Sequence, residues 1–80
     1  MPKLKALSGK ELVKFFNSFG FSVERQKGSH VILLRAISGQ NQCLVIPNHS
    51  EIDRGTAREI FRQARVYIAE TELRKFFYTD

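Results

Sequence analysis

The sequence predicts a single α+β domain, in which one helix precedes three antiparallel strands and two further helices follow them. Apolar side chains recur at helical spacing near the N-terminus and again over residues 54–64. The apolar segments between them are joined by short polar turns with glycine, which is typical of an antiparallel meander. With 80 residues, the chain is long enough for one modest hydrophobic core, so we expect one domain over residues 1–80.

The first helix is bounded by clear signals. Residues 8–11 (SGKE) have the spacing of a capping box, and Gly20 is well placed to end the helix. Apolar side chains between these signals fall within roughly 160° of the helix circumference. They are Leu12, Val13, Phe15, Phe16 and Phe19. We therefore interpret the phenylalanines as core packing rather than as a ligand site.

Three strands are predicted next. Residues 21–27 alternate between apolar and polar, as in a half-buried strand. Residues 31–34 form a continuous apolar run, which predicts the central strand, and residues 43–46 form a third strand ended by Pro47. Alternation points Val31, Leu33 and Ile37 to one face of the sheet and Ile32 and Leu34 to the other. The helices are expected to cover one face only, so the uncovered face would carry an apolar patch that binds a partner, unless the third helix covers it.

Two helices complete the prediction. Asp53 is a plausible N-cap for a helix that runs to about Arg65, and a short third helix is predicted over residues 70–77. The core side of these helices is expected to carry Ala57, Ile60, Phe61, Ala64, Leu73, Phe76 and Phe77.

Net charge limits the class of partner. Thirteen lysines and arginines against eight acidic residues give a net charge of +5, which favours nucleic acid first and an anionic membrane second. Four arginines of the second helix lie within roughly 80° of its circumference, either as a phosphate-contact surface or as an ordinary solvated face. They are Arg54, Arg58, Arg62 and Arg65. The backbone amides of Gly55 and Thr56 are predicted to suit a phosphate oxygen.

This order of elements, with a basic second helix, is the general plan of a double-stranded-RNA-binding domain. We therefore expect a double-stranded-RNA-binding-domain-like fold with a three-stranded antiparallel sheet and a short C-terminal helix. The chain has no apolar run near the roughly 20 residues of a membrane span, and no signal-peptide stretch. Its one cysteine, Cys43, cannot form an internal disulfide, which fits a reducing cytoplasm.

His30 is the main candidate for chemistry. It follows the turn residues Gly28 and Ser29 and begins an apolar strand. Histidine has an unperturbed pKa near 6.5, which suits proton transfer at neutral pH. By itself, a histidine beside a turn is more often a surface or structural residue than a functional one. His49, the other histidine, either orders the loop before the second helix or contacts substrate. Glu51 and Asp53 have no third ligand at usable spacing, so no metal site is predicted.

Three motifs stand in order along the chain: residues 28–30 (GSH), residues 46–50 (IPNHS) and residues 54–64 (RGTAREIFRQA). Together, over residues 12–64, they resemble the HicA (YcfA-like) toxin family. The resemblance implies an mRNA interferase that cleaves RNA without a metal cofactor, and a cognate HicB-type antitoxin that covers the active site. By the same likeness, His30 corresponds to the catalytic histidine of the family.

Under this hypothesis, His30 removes the proton of an RNA 2′-hydroxyl, and Arg25 or Lys27 stabilises the charge on the phosphorus centre. The expected partners are mRNA and the antitoxin; a homodimer and a hetero-oligomer with the antitoxin both stay open. The residues expected to bind RNA are Lys10, Lys14, Arg25, Lys27, Ser29, Arg54, Thr56, Arg58 and Arg62.

Two other interpretations of the sequence stay open at this point. A non-catalytic RNA-binding module would keep the fold and the salt-dependent affinity, with His30 as a contact only. A pure protein-interaction domain would use its apolar strand to extend the sheet of a partner.

Overall fold

A computed structural model describes residues 2–79; Met1 and Asp80, the two ends of the predicted domain, lie outside the described residues. The elements in chain order are β1 (Lys3–Leu4), α1 (Gly9–Asn17), β2 (Ser22–Lys27), β3 (His30–Ile37), β4 (Gln40–Pro47), α2 (Arg54–Ala64), α3 (Glu70–Phe77) and β5 (Tyr78–Thr79). The predicted α+β class and the order of its helices and its three main strands are confirmed. Within the described residues, no helix has the length and apolar character needed to cross a membrane.

The main sheet is antiparallel, with strand order β2-β3-β4, so the apolar run lies in the central strand as predicted. Strand β4 begins at Gln40, three residues before the predicted start. Ser38 and Gly39 have positive φ angles of 52° and 77°, as in a two-residue type I′ hairpin turn. Because this turn is so short, Ile37 pairs with Gln40 and the polar residues that follow belong to the strand.

The helices pack on one face of the sheet and enclose the hydrophobic core. Val31 and Leu33 of β3 are buried there with Leu12 and Phe16 of α1, which confirms the packing role of the first helix. The capping box is also confirmed, because Ser8 and Glu11 each accept a hydrogen bond from the backbone of the other, at 3.1 and 2.8 Å. Asp53 caps α2 as predicted.

The opposite face of the sheet, here called the outer face, carries apolar side chains without a helix against them. Val45 is 41% exposed, Cys43 is exposed, and their register partners Ile32 and Leu34 are half-buried. Alternation along β3 is therefore as predicted. Neighbouring exposed apolar side chains indicate an interaction site more often than a single exposed apolar residue does.

Arg35 connects three parts of the chain. Its guanidinium donates hydrogen bonds to the Gln42 side chain at 2.8 Å, to the Phe19 carbonyl at 2.8 Å and to the Tyr67 carbonyl at 3.1 Å. Its Cζ also lies 4.7 Å from the ring centroid of Phe21. Arg35 therefore holds the ends of α1 and α2 against the sheet, which is a structural role.

The two ends of the chain meet in a small second sheet that the sequence pattern did not predict. Lys3 pairs with Thr79, and Leu4 pairs with Tyr78. Next to this sheet, the Phe76 ring of α3 stacks on Phe15 of α1, with ring centroids 4.1 Å apart. Strands of two residues carry no periodicity, so only the pairing itself identifies them.

Gly9 brings the start of α1 into contact with the segment after β4. Its backbone N–H donates to the His49 carbonyl at 2.8 Å. A Cβ atom added at Gly9 would lie 2.3 Å from the Pro47 carbonyl oxygen and 3.1 Å from the Cα of Asn48. The lack of a side chain at Gly9 therefore permits this contact.

Replacing Gly9 with alanine is expected to lower the free energy of unfolding by about 1–3 kcal/mol, because the added methyl group meets backbone that cannot move aside. Equilibrium unfolding in urea measures the change. Gly55→Ala is the matched control, since Gly55 also lies in the first turn of a helix but its added Cβ would lie 3.4 Å from the nearest atom, in the Asp53 side chain. Equal stability of the two variants would contradict this interpretation.

Candidate functional site

His30 lies at the tip of the hairpin formed by β2 and β3. Gly28 has a φ of +61° at the first central position of the turn, where glycine is favoured. His30 pairs with Lys27 of β2 and with Pro47 of β4, and it is exposed. The imidazole is therefore held at the end of a three-stranded sheet and is open to a large ligand.

A β-bulge determines which basic residues share the face of His30. Val23 pairs with Leu33, but Arg25 pairs with Ile32, so one extra residue lies in β2 between them. Residues that pair across a sheet share a face. The bulge therefore moves Arg25 and Lys27 from the helix side, where unbroken alternation with Val23 would place them, to the outer face.

His30 shares that outer face because Val31, the next residue, is buried under the helices. Lys27 stands directly opposite His30 in the register, and Arg25 stands two residues further along β2. Both cations are exposed. The structure thus gathers one imidazole and two cationic side chains on one open surface, which is the arrangement that acid–base chemistry on a phosphate ester needs.

The lysines of α1 approach the same hairpin tip from the helix side. Lys10 and Lys14 line a groove of about 280 Å³ together with Gln26 and Asn48. The Asn48 backbone N–H donates to the Ser29 carbonyl at 2.6 Å, which ties this groove to the turn before His30.

His49 lies beside a second groove, of about 420 Å³, that shares Lys10 and Asn48 with the first and is also lined by Ser8 and Ser50. The backbone carbonyl of His49 accepts the hydrogen bond from Gly9. The loop is therefore ordered through its backbone, and the exposed imidazole is placed beside surface that a ligand can reach.

The start of α2 is capped by the chain itself. The Thr56 N–H donates to Asp53 Oδ2 at 3.1 Å, and the Thr56 hydroxyl donates to Asp53 Oδ1 at 2.6 Å. The hydroxyl bond is the largest of the effects that lower the pKa of Asp53. The Thr56 backbone amide, which was predicted to suit a phosphate oxygen, is thus already bound to a carboxylate, and so is the Thr56 hydroxyl.

The arginines of α2 differ in their surroundings. Arg62 forms a bidentate ion pair with Glu59, with Nε–Oε2 at 2.9 Å and Nη2–Oε1 at 2.8 Å. Arg65 Nη1 lies 3.7 Å from Glu70 Oε1. Within residues 2–79, Arg54 and Arg58 have no carboxylate within ion-pairing distance. The uncompensated positive charge therefore lies on the N-terminal half of the helix.

Metal-binding side chains do not gather anywhere in the described part of the chain. Among residues 2–79, no group of three or more histidine, cysteine, aspartate or glutamate side chains is placed to hold a metal ion.

A family model described as HicA toxin of bacterial toxin–antitoxin matches residues 9–66. This chain belongs to the HicA toxin family. No curated protein and no solved structure matches it. The HicA match runs from the first residue of α1 past the end of α2 and includes His30, whereas β1, α3 and β5 lie outside it. Membership of the HicA family implies a cognate antitoxin as partner.

Replacing Asp53 with alanine is expected to destabilise the chain at neutral pH, because α2 loses its N-cap. Hydrogen bonds lower the pKa of Asp53 below its ordinary value of 3.8 in the folded chain. Its contribution to stability is therefore present above the unfolded pKa and is lost as pH falls through the lowered folded pKa.

Urea unfolding of parent and variant at a series of pH values measures this effect, and the difference between them should shrink below pH 3.8. Glu51→Ala removes an exposed carboxylate two residues away and serves as the control. A difference that stays constant down to strongly acidic pH would show that the carboxylate charge is not responsible.

Proposed function

We propose that this HicA-family chain is the toxin of a type II toxin–antitoxin system and acts as an mRNA interferase, a metal-independent endoribonuclease of the cytoplasm. The observation that carries the proposal is the exposed imidazole of His30 on the same sheet face as Lys27 and Arg25. RNA supplies its own nucleophile, the 2′-hydroxyl. The enzyme then has to move protons and stabilise negative charge.

In the proposed reaction, the neutral imidazole of His30 takes the proton of the 2′-hydroxyl, and the 2′-oxygen attacks the adjacent phosphorus. The bond from phosphorus to the 5′-oxygen breaks, and the leaving oxygen takes up a proton from the His30 imidazolium or from water. The products are a 2′,3′-cyclic phosphate and a 5′-hydroxyl end. Lys27 and Arg25 stabilise the additional negative charge on the phosphorane, because cations placed where charge develops lower the barrier.

Further basic residues are proposed to hold the RNA. Lys10 and Lys14 contact phosphates on the helix side of the hairpin tip, while Ser29 and His49 contact the substrate at the tip itself. On α2, Arg54 and Arg58 are the stronger candidates because no ion pair within residues 2–79 engages them. Arg62 contributes less, because a phosphate that reaches it also meets the Glu59 carboxylate.

The antitoxin is proposed to cover the outer face. This face combines apolar side chains, Val45 and Ile32 among them, with the cations Arg25 and Lys27. A partner with apolar and acidic groups in matching positions would bury the apolar surface and block His30 in one step. The antitoxin would then bind the toxin and inhibit it through the same residues.

Replacing His30 with alanine is expected to lower the rate of RNA cleavage by about 10²–10⁴-fold, the usual contribution of one general acid–base group. Folding should be unaffected, because the side chain is exposed. The rate is measured on purified protein with single-stranded mRNA in EDTA, and thermal unfolding checks the fold. Analysis of the 3′ ends should show cyclic phosphate.

His49→Ala is the matched control, since it removes an exposed imidazole from the neighbouring loop. It should weaken binding without removing cleavage at saturating RNA. Unchanged cleavage by the His30 variant would exclude His30 from the mechanism. Intact RNA that is bound by the parent would instead identify a non-catalytic RNA-binding module.

Replacing Arg58 with alanine is expected to weaken RNA binding more than replacing Arg62, although both arginines are exposed on α2. Each phosphate contact on single-stranded RNA contributes about 0.7 to the slope of log affinity against log salt concentration. We expect Arg58→Ala to lower this slope by about that amount and Arg62→Ala to change it little, because Glu59 already pairs with Arg62. Fluorescence anisotropy in a His30→Ala background measures both; a larger loss at Arg62 would contradict the proposal.

A further inference from the structure

One groove of the structure is lined by apolar and amide side chains as well as lysines, which is more than phosphate binding requires. It lies on the helix side of the sheet, between α1 and the hairpin of β2 and β3, and its volume is about 280 Å³. This is slightly below the roughly 300–1,000 Å³ of sites for drug-sized ligands, so its size suits one small group. We call it the amide groove. Its lining residues are Lys10, Val13, Lys14, Asn17, Val23, Gln26, Val31 and Asn48.

Valines form the apolar part of the amide groove. Val31 is buried and Val13 is half-buried, but Val23 is 53% exposed. These three side chains come from α1, β2 and β3, so three elements contribute to the apolar part of the groove. Such a surface favours the apolar face of a ring over an extended phosphate.

Amide and ammonium groups form the polar part. Asn17, Gln26 and Asn48 each offer a hydrogen-bond donor and an acceptor, which is the combination that reads the edge of a nucleobase. The Gln26 amide is held beside the turn by a hydrogen bond of 3.1 Å to the Gly28 carbonyl. Among the residues that the structure describes, no carboxylate lines the groove, and Lys10 and Lys14 give it positive charge.

The amide groove is also adjacent to His30 along the chain. Val31 in the groove is the next residue after His30, and its side chain lies on the opposite face of the sheet. Asn48 also lines the groove, and its backbone N–H donates a hydrogen bond to the carbonyl of Ser29, the residue before His30. An RNA strand that crosses the hairpin tip can therefore meet His30 with a phosphate and the groove with the neighbouring base.

We propose that the amide groove binds one nucleobase of the RNA beside the scissile phosphate and thereby sets the cleavage-site preference. This proposal rests on the proposed ribonuclease function. The valines hold the ring, the three amides distinguish its edge, and the two lysines contact the flanking phosphate.

Nucleotide binding to the full chain tests the proposal without any cleavage. Each of the four nucleoside 3′-monophosphates is titrated into methyl-labelled protein and followed by NMR. The methyl groups of Val13, Val23 and Val31 should shift, and one base should bind more tightly than the others. Val23→Trp fills the groove and should lower that affinity about tenfold, in the range of one lost base contact.

Val66→Trp is the matched control, because Val66 is 75% exposed and lies outside the groove. It should leave the affinity unchanged. A second variant and its control are compared by sequencing the ends of the cleaved RNA. Asn17→Ala should broaden the base preference at one position beside the cleavage site. Asn41→Ala, at the other end of the sheet, should leave that preference unchanged.

The outcomes separate the two proposals. If no valine methyl shifts with any nucleotide, or if the Asn17 variant keeps the base preference of the parent, the base-binding groove is excluded. The ribonuclease proposal then stands as long as the parent cleaves RNA. If the parent does not cleave RNA, the ribonuclease proposal fails, whether or not RNA is bound. Methyl shifts and a base preference that Val23→Trp removes would support the groove.

Discussion

The close approach of Gly9 to the segment after β4 is the constraint on which the arrangement of the site depends. Because Gly9 has no side chain, its backbone reaches the His49 carbonyl and lies against Pro47. In the same segment, the backbone N–H of Asn48 donates a hydrogen bond to the Ser29 carbonyl in the hairpin turn. Two backbone hydrogen bonds thus join α1, the loop before α2 and the turn before His30. These bonds bring the lysines of α1 to the same hairpin tip as the imidazole.

The sheet separates two chemical surfaces at that tip. On the outer face, the bulge in β2 sets Arg25 and Lys27 beside His30, among apolar side chains without a helix over them. On the helix face, valines and amides form a groove. A partner that covers the outer face and an RNA strand that crosses the tip would compete for His30. Under the proposed function, the same surface would serve both cleavage and its inhibition.

The elements outside the HicA match strengthen the scaffold. Helix α3 buries Leu73 and Phe77 in the core, and its Phe76 stacks on Phe15 of α1. Strands β1 and β5 join the two ends of the chain. Arg35 adds hydrogen bonds from the central strand to the carbonyls of Phe19 and Tyr67. A small domain has little core to lose, so these contacts hold the sheet and helices as one body that keeps the hairpin tip in position.

The sequence by itself determined the elements, because their signals are local: the capping box at Ser8, the N-cap at Asp53, the helical spacing of phenylalanines and the apolar run of β3. It also singled out His30 through the turn before it and the resemblance to HicA toxins. Only the tertiary structure decided which side chains share a surface. The bulge reverses the faces of Arg25 and Lys27, an ion pair engages Arg62, and Asp53 binds the donors of Thr56. Each depends on pairing register or on how side chains are placed in space, which residue type and spacing do not specify.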